Sequence, residues 1–198
     1  MCGNGARCAG RVFSIITGKK DIVFKTIAGL IDAAVSGNIV KVRLSDPTGY
    51  IDKVEIDVDG KLFKGSFINT GVPHFVIEID DIENFPVKDI GNKIRFHSYF
   101  SPKGTNVNFI KYLGDETIKV RTYERGVEDE TLACGTGACA SALVIGKKGW
   151  VKNKANIITS GGERLTVYFN IDGNNFSKVY LEGAVKFICE GDIYLNEL

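Results

Sequence analysis

The stretch Ala133-Cys134-Gly135-Thr136-Gly137-Ala138-Cys139-Ala140 determines how the rest of this sequence is interpreted, because it recurs at the start of the chain. The earlier copy is Met1-Cys2-Gly3-Asn4-Gly5-Ala6-Arg7-Cys8-Ala9. Both copies contain Cys-Gly-x-Gly-Ala, and both run into a pattern typical of a helix. The sequence therefore predicts that one arrangement, a cysteine at the start of a helix, is built twice.

The similarity continues beyond the two copies. After the first, a short helix pattern is followed by β-rich segments at 25–29 and 39–44. After the second, the same order leads to 158–162 and 176–181. An order of elements that recurs at a nearly constant offset indicates a structural repeat. We therefore expect two structurally similar halves.

Composition places the chain among ordinary globular proteins. Its 198 residues are 44% hydrophobic and 25% charged. The net charge of +1 gives no electrostatic footprint for nucleic acid or an anionic membrane, so neither is expected as a partner. No apolar run approaches the ~20 residues of a membrane span. Gly3, Asn4 and Arg7 interrupt any signal-peptide pattern.

Cysteine usage favours the cytoplasm and argues against a metal site. Five cysteines, an odd number, without a secretory signal are typical of a reducing compartment. The sequence contains no C-x-x-C pair and only two histidines, His74 and His97, so zinc ligation is not expected.

The periodicity predicts an α+β chain without regular βαβ alternation. Helices are expected at 4–17, 83–96 and 136–147, the second weakened by Pro86 and Gly91. The predicted strands cover residues 22–27, 31–35, 39–44, 54–58, 61–69, 73–79, 105–112, 117–123, 155–159, 164–171, 176–182 and 184–194.

A cysteine at a helix start is placed for proton chemistry. The free N–H groups and the positive end of the helix dipole are expected to lower the thiol pKa and to bind a carboxylate. Two thiols on opposite faces of a carbon next to a carboxylate can act as base and acid. The sequence therefore predicts inversion of such a carbon, with Cys2 and Cys134 as the acid/base pair and no cofactor.

A different interpretation is that both cysteines are small buried residues in tight turns. The shared Gly-x-Gly context at both positions favours the reactive interpretation. The remaining cysteines, Cys8, Cys139 and Cys189, are expected in helix or strand cores.

Several further motifs resemble the signatures of diaminopimelate epimerase. They are the segments 1–8, 69–76, 104–109, 123–126 and 133–138, which read MCGNGARC, NTGVPHFV, GTNVNF, YERG and ACGTGA. Related two-thiol racemases, such as proline racemase, share only a Cys-Gly pattern and are less similar.

The resemblance implies a cofactor-independent interconversion of LL- and meso-diaminopimelate, in lysine and peptidoglycan precursor biosynthesis. It also implies two pseudo-symmetric α/β halves, each a strand-rich, barrel-like sheet around a central helix.

The resemblance also assigns roles to the residues of the motifs. His74 and Glu124 would lie beside the thiols and orient them. Substrate-binding roles fall to Gly3, Asn4, Asn69, Asn106, Glu124, Arg125, Gly135 and Thr136. Helix-start amides at residues 3, 4, 135 and 136 would hold the reacting carboxylate, and the side chains at 69, 106 and 125 would recognise the distal end of the substrate.

Each of these side chains also has a structural alternative. Asn69 and Asn106 could be turn residues. His74 could be a surface residue, and Glu124 and Arg125 could be a solvated neighbour pair.

The repeat and the resemblance together predict an incomplete first half. The second motif follows a strand-rich stretch, 48–133, which has no counterpart before the first. Residues 1–46 with a returning strand in 185–198 would form a partial first domain, and 47–184 a complete second one. The partner would be diaminopimelate, with a homodimer or an upstream-encoded N-terminal fragment as a further partner. The alternatives are an inactive or split-enzyme fragment that retains the pocket, or a related two-thiol racemase.

Overall fold

The computed structural model describes residues 2–27 and 29–192, which form three helices, a 3₁₀ turn and twelve strands. The helices are α1 (Gly3–Thr17), α2 (Val87–Arg95) and α3 (Gly135–Lys147), and the 3₁₀ turn is Ser98–Phe100. The strands are β1 (Asp21–Thr26), β2 (Gly29–Ser36), β3 (Ile39–Arg43), β4 (Thr48–Val58), β5 (Lys61–Asn69), β6 (Pro73–Glu78), β7 (Asn106–Gly114), β8 (Thr117–Glu124), β9 (Asp129–Thr131), β10 (Lys154–Thr159), β11 (Arg164–Asp172) and β12 (Asn175–Ala184).

The strands form one sheet in the order β1-β2-β3-β12-β11-β10-β8-β7-β6-β5-β4, and β9 pairs with β8. Within this order, β3 and β12 form the antiparallel pair that joins the two repeated units, with Val42 opposite Leu181. On one side of this pair lie β2 and β1, and on the other lie β11 and β10. Each helix–strand–strand–strand unit therefore occupies one side of a local two-fold relation, which is the arrangement that the repeat predicts.

Local signals explain where the helices begin and end. Helix α1 stops at Gly18, which has a φ of 68° and closes the helix in the left-handed conformation that glycine adopts without a Cβ clash. Helix α2 begins only after Pro86, so it is shorter than the predicted helix at 83–96. Proline is tolerated at a helix start but not in a helix interior, because it lacks the backbone N–H.

Two apolar cores lie against the sheet. The larger surrounds α3 and includes Val40 and Val42 of β3 together with Leu143 of α3. The smaller lies under α2 and includes Phe75 of β6 and Tyr123 of β8. Helix α3 is contacted by strands β5 to β8 and by strands β10 to β12. This wrapping of strands around one helix is the barrel-like arrangement expected for the second half. The predicted α+β class is thus confirmed.

The predicted strand after residue 184 is wrong for 185–192. These residues carry neither helix nor strand, and from residue 186 onward all of them are exposed. The chain returns to its first part earlier, through the pairing of β12 with β3 and a bond from Val185 N to Asn38 O of 2.7 Å. The rest of the predicted strand, 193–198, lies outside the described residues. The division into domains at residue 46 stays a prediction, since one sheet joins both parts.

Two of the three remaining cysteines differ from expectation. Cys139 is fully buried in α3, as predicted. Cys8 and Cys189 are exposed, so their predicted core positions are wrong. Cys8 lies on the solvent side of α1, and Cys189 follows the end of the sheet.

In the part of the chain that the structure describes, no helix is long and apolar enough to cross a bilayer. Within the same residues, no group of three or more His, Cys, Asp or Glu side chains could hold a metal ion.

Candidate active site

The two repeated cysteines occupy equivalent backbone positions. Cys2 is the N-cap of α1, with φ −118° and ψ 110°. Cys134 is the N-cap of α3, with φ −117° and ψ 107°. An N-cap residue takes an extended conformation while its carbonyl accepts the first helical bond, and here Cys2 O accepts from Ala6 N and Cys134 O from Ala138 N. The five-residue motif therefore builds the same helix start twice.

The two helix starts touch. A Cβ added at Gly135 would lie 3.5 Å from the Cα of Gly3 and 3.1 Å from Oδ1 of Asn4. A Cβ at either glycine would also lie within 3.0 Å of Leu181 Cδ2. The absence of side chains at positions 3 and 135 therefore leaves the space in which Leu181 and the two helix starts pack together. The positive ends of two helix dipoles thus converge on one point, an arrangement that favours a bound anion.

A cavity of about 130 Å³ opens at this junction. It contains nine of the eleven predicted site residues: Cys2, Gly3, Asn4, Asn106, Glu124, Arg125, Cys134, Gly135 and Thr136. Val72 and Ala133 complete its lining. The structure therefore brings together residues that are far apart in the sequence, and only Asn69 and His74 lie outside.

The two thiols differ in solvation. Cys134 is 9% exposed, and burial raises the pKa of its thiol to about 11, with a further contribution from the negative charge of Glu124. Thr136 Oγ1 lies 3.6 Å from its sulfur. The expectation that the pKa of this thiol is lowered is wrong for Cys134, because desolvation outweighs the hydrogen bonds from Thr136 and Gly137. Cys2 is exposed, and its sulfur accepts a hydrogen bond of 3.3 Å from Gly5 N.

A larger cavity of about 580 Å³ lies next to the first, and Arg125 lines both. Asn69 lines this larger space together with aromatic residues, among them Phe67 and Tyr99. Arg125 is half-buried, and its Nη1 donates to Lys103 O at 3.3 Å. The guanidinium is therefore placed between a small cavity with two thiols and a roomier one, and it is not a freely solvated side chain.

Asn69 and Asn106 make local backbone bonds. Asn69 Oδ1 accepts from Gly71 N at 2.9 Å, which is an Asx turn, so Asn69 is both a turn residue and a cavity residue. Asn106 is 4% exposed, and its Nδ2 donates to Pro73 O at 2.8 Å. Its Oδ1 accepts from Arg125 N, also at 2.8 Å. This carboxamide fixes the backbone that carries Arg125.

His74 is completely buried, so its alternative as a surface residue is wrong. Its Nδ1 lies 3.0 Å from Asn108 Nδ2, and its Nε2 has no hydrogen-bond partner among the described residues. Burial lowers its pKa to about 3, and the positive charge of Arg125 acts in the same direction. The imidazole is therefore neutral at physiological pH and reaches the site only through Asn108.

Sequence reasoning missed Asn108, Thr70 and Arg7. Asn108 Oδ1 would be struck by a Cβ at position 137, so this side chain packs directly on the first turn of α3. Thr70 Oγ1 donates to Thr136 O at 3.2 Å. Arg7 donates to Asn4 Oδ1 at 3.1 Å. All three stand inside quoted motifs, but nothing in a motif shows which of its polar residues face inward.

Comparison with known proteins gives a consistent result. The family model described as diaminopimelate epimerase matches residues 66–188. A diaminopimelate epimerase of Aquifex aeolicus is 51% identical over 197 residues, covering 96% of this chain and 68% of that protein. One of a Hydrogenobaculum species is 46% identical, covering 96% and 69%.

A solved structure supports the fold. The probable proline racemase of Agrobacterium radiobacter K84 superposes with a TM-score of 0.74 at 15% identity, over 96% of this chain and 66% of that one. At that identity the likeness concerns the fold alone. The chain spans about two thirds of the length of the proteins it matches. From the family model and the close relatives together, this chain belongs to the diaminopimelate epimerase family, a family of isomerases.

Proposed function

We propose that this protein interconverts LL- and meso-diaminopimelate by moving one proton, without a cofactor. The observation that carries the proposal is the meeting of two cysteine-capped helix starts at one small cavity. Two relatives and the family model supply the substrate class, since their names specify diaminopimelate. The assignment to lysine and peptidoglycan precursor biosynthesis, and to the cytoplasm, belongs to the same proposal.

The proposed chemistry begins with the thiols in different states. The raised pKa of Cys134 keeps its sulfur protonated, so Cys134 is the acid of the resting site. Cys2 is exposed and its sulfur accepts a hydrogen bond from Gly5 N, so Cys2 is assigned the role of the base. In the direction that starts from this state, Cys2 takes the α-proton, the C–H electron pair moves toward the carboxylate, and Cys134 delivers its proton to the opposite face. The reverse direction exchanges the two roles.

The helix starts would stabilise the charge that develops on the carboxylate. The N–H groups at Gly3, Asn4, Gly135 and Thr136 belong to the first turns of α1 and α3 and point toward the junction. Preorganised donors of this kind act most strongly where negative charge grows during the reaction. The carboxylate next to the reacting carbon is therefore proposed to lie between the two helices.

The second cavity supports a substrate with two charged ends. Arg125 lines both cavities, and its guanidinium suits a carboxylate through paired N–H donors. Asn69 lies further along the larger cavity. A small cyclic amino acid such as proline would occupy the first cavity and leave the second without a polar partner. This favours diaminopimelate over the alternative of another two-thiol racemase.

The test is α-proton exchange in deuterated water, followed by loss of the α-hydrogen NMR signal of diaminopimelate. Removal of one acid/base group through Cys134→Ala should reduce exchange by about 10²- to 10⁴-fold. Cys139→Ala is the matched control, because Cys139 is buried on the same helix but does not line the cavity. It should retain exchange. Absence of exchange in the unmodified chain, or equal exchange in Cys134→Ala, would refute the proposal.

A protein that binds diaminopimelate without epimerising it is the second candidate, and one observation favours it. The side chains of Val12, Phe13, Ile15 and Ile16 on helix α1 are exposed. Helix α1, which carries Cys2, is therefore less covered by other described elements than α3, which carries Cys134. Diaminopimelate binding measured by calorimetry, without exchange in the same preparation, would establish this candidate. Proline offered as substrate in parallel distinguishes the racemase alternative.

A further inference from the structure

A buried positive charge lies behind the site and has no role in the proposed chemistry. Arg7 is 3% exposed, on the first turns of α1. A guanidinium is rarely buried to this extent without hydrogen-bond partners. Here Nη1 and Nη2 have partners, whereas Nε has none among the described residues. Its neighbours therefore indicate what holds it there.

The partners of Arg7 come from three separate parts of the chain. Its Nη2 donates to Glu163 Oε1 at 3.0 Å in an ion pair, and also to Asn4 Oδ1 at 3.1 Å. Its Nη1 donates to Ala184 O, the last residue of β12, at 3.3 Å. The side chain of Arg7 thus connects the site, the turn after β10 and the end of β12.

The surroundings are shaped to admit the guanidinium. A Cβ at Gly183 would collide with Nη1 of Arg7, so the absence of a side chain at that position leaves the space that Arg7 occupies. Glu163 is held in turn, because its backbone N donates to Thr159 Oγ1 at 3.1 Å. The pocket for Arg7 is therefore built from fixed elements.

The contact with Asn4 determines which way its carboxamide faces. With Oδ1 held by Arg7, the Nδ2 group faces Ala133 O at 3.5 Å, directly before Cys134. A reversed carboxamide would place its N–H donors against the donors of the guanidinium. Asn4 also lines the cavity between the two thiols. The orientation that Arg7 imposes consequently links the start of α1 to the segment that leads into α3.

The second half of the molecule has no equivalent of this contact. At the offset of 132 residues between the two motifs, the position of Arg7 corresponds to Cys139 and that of Asn4 to Thr136. Thr136 is instead held through its backbone carbonyl by Thr70. The two helix starts are therefore fixed by different means.

We propose that Arg7 is a positioning residue that acts through Asn4: its guanidinium fixes the Asn4 carboxamide, and the carboxamide holds the starts of α1 and α3 in register around the cavity. The inference rests on the proposed function in one respect only, because a measurement of kcat requires that the protein catalyses α-proton exchange. It assigns Arg7 no contact with substrate.

The experiment is a double-mutant cycle of Arg7→Lys and Asn4→Ala. Lysine keeps the charge but replaces a planar fork by one ammonium, which cannot serve three acceptors in the same geometry. Arg7→Lys should lower kcat for α-proton exchange about tenfold, since small misplacements of reacting groups are costly. If Arg7 acts through Asn4, the double variant should be no slower than Asn4→Ala alone. Should Arg7→Lys fail to fold, Arg7→Met keeps the apolar stem without the charge and enters the same cycle.

Glu163→Gln is the matched control. Its amide oxygen can still accept from Arg7, so the bond between Arg7 and Asn4 survives while the ion pair is lost. This variant should lower the melting temperature but keep the wild-type kcat. A fall in kcat equal to that of Arg7→Lys, or additive losses in the double variant, would overturn the proposal in favour of a purely structural role for Arg7.

A second readout does not depend on turnover. Alkylation of Cys134 by iodoacetamide, followed by mass spectrometry, reports how firmly the start of α3 is held. Arg7→Lys should raise the labelling rate several-fold, Asn4→Ala should raise it equally, and the double variant should add nothing. If the unmodified chain shows no proton exchange, the proposed function fails while this cycle still decides the role of Arg7. Unchanged labelling in Arg7→Lys would overturn that role.

Discussion

Helices α1 and α3 begin with the same motif and the same N-cap backbone angles, yet they end in different environments. Every residue of α3 from Gly135 to Ile145 is buried. In α1 only Gly3, Ala6, Arg7 and Gly10 are buried. The difference in burial arises from the sheet, because α3 is contacted by strands β5 to β8 and also by strands β10 to β12. Helix α1 packs mainly on β1, β2 and β3.

The comparison separates two features that determine the surroundings of each thiol, namely the helix start and the access of water to the sulfur. Five residues of local sequence set the helix start, and with it the direction of the free N–H groups. The surrounding strands set how much water reaches the sulfur. Cys134 is desolvated and its pKa is raised, whereas Cys2 lies in contact with solvent. Two copies of the same motif therefore place their thiols in different surroundings.

The largest expected effect is a loss of folding stability at acid pH, and its cause is the burial of His74. This residue has a folded pKa of about 3, below its unfolded value of about 6.5. The unfolded chain therefore binds the proton more readily. The resulting stability is fully present above pH 6.5 and is lost as the pH falls toward 3, by about 4 kcal/mol.

Urea unfolding at pH 7 and pH 4 checks this expectation. The free energy of unfolding should fall less with pH in His74→Gln than in the unmodified chain. His97→Gln is the control for replacing a histidine elsewhere, since His97 is only partly buried and lines neither cavity. Equal slopes in all three proteins would show that His74 is solvated in solution and that the second half is less enclosed than described.

The second glycine of the motif, Gly5 in one copy and Gly137 in the other, gives a matched pair of substitutions with an expected effect of intermediate size. A Cβ at Gly137 would collide with Asn108 Oδ1 and lie 3.3 Å from the sulfur of Cys134. At Gly5 the nearest atom would be the sulfur of Cys2 at 3.6 Å, an ordinary contact. Gly137→Ala should destabilise the fold by about 1–3 kcal/mol through overpacking. Gly5→Ala should be neutral or stabilising by up to about 1 kcal/mol, since alanine favours a helix.

Chemical denaturation of the two glycine variants decides this prediction. A similar loss in both would mean that α1 is as tightly enclosed at its start as α3, which would remove the asymmetry. A gain in Gly5→Ala with a loss in Gly137→Ala would locate the asymmetry in the first helical turn.

Much of the fold and site could be predicted because it depends on local patterns. The Cys-Gly-x-Gly-Ala motif specifies a helix start, and the alternation in 54–58 followed by Asp59-Gly60 specifies the hairpin between β4 and β5. The motifs also named nine residues that line one cavity. Their convergence was expected from the repeat and the family resemblance, since spacing alone does not show that Cys2 and Cys134 meet.

The rest depends on contacts that no local pattern encodes. Whether Cys134 is more desolvated than Cys2 depends on strands as early in the chain as β5, whose contact with α3 follows from the sheet order and not from local sequence. The burial of His74 and the tie between Asn106 and the backbone of Arg125 arise in the same way. The strand expected over 185–192 failed because apolar residues there, Phe187 and Ile188, have no neighbouring strand to pair with among the described residues.

A matched pair of valines lies at equivalent positions on the two helices, and only the variant on α1 is expected to have a very small effect. Val144 of α3 is 1% exposed, and Val12 of α1, 132 residues earlier, is 43% exposed. Val144→Ala removes buried methyl groups and should cost about 2 kcal/mol of unfolding free energy. Val12→Ala should change it by only a few tenths of a kcal/mol, with a slight gain from helix propensity.

Urea titrations of both valine variants, repeated at several protein concentrations, test whether the outer face of α1 is exposed in solution. A small effect of Val12→Ala at every concentration would support the described asymmetry. A cost equal to that of Val144→Ala, present only at high concentration, would mean that a second copy of the chain covers this face. An equal cost at all concentrations would contradict the exposure of α1 itself. Because the two substitutions remove the same atoms, the difference between them measures the surroundings of the helices and not the chemistry of valine.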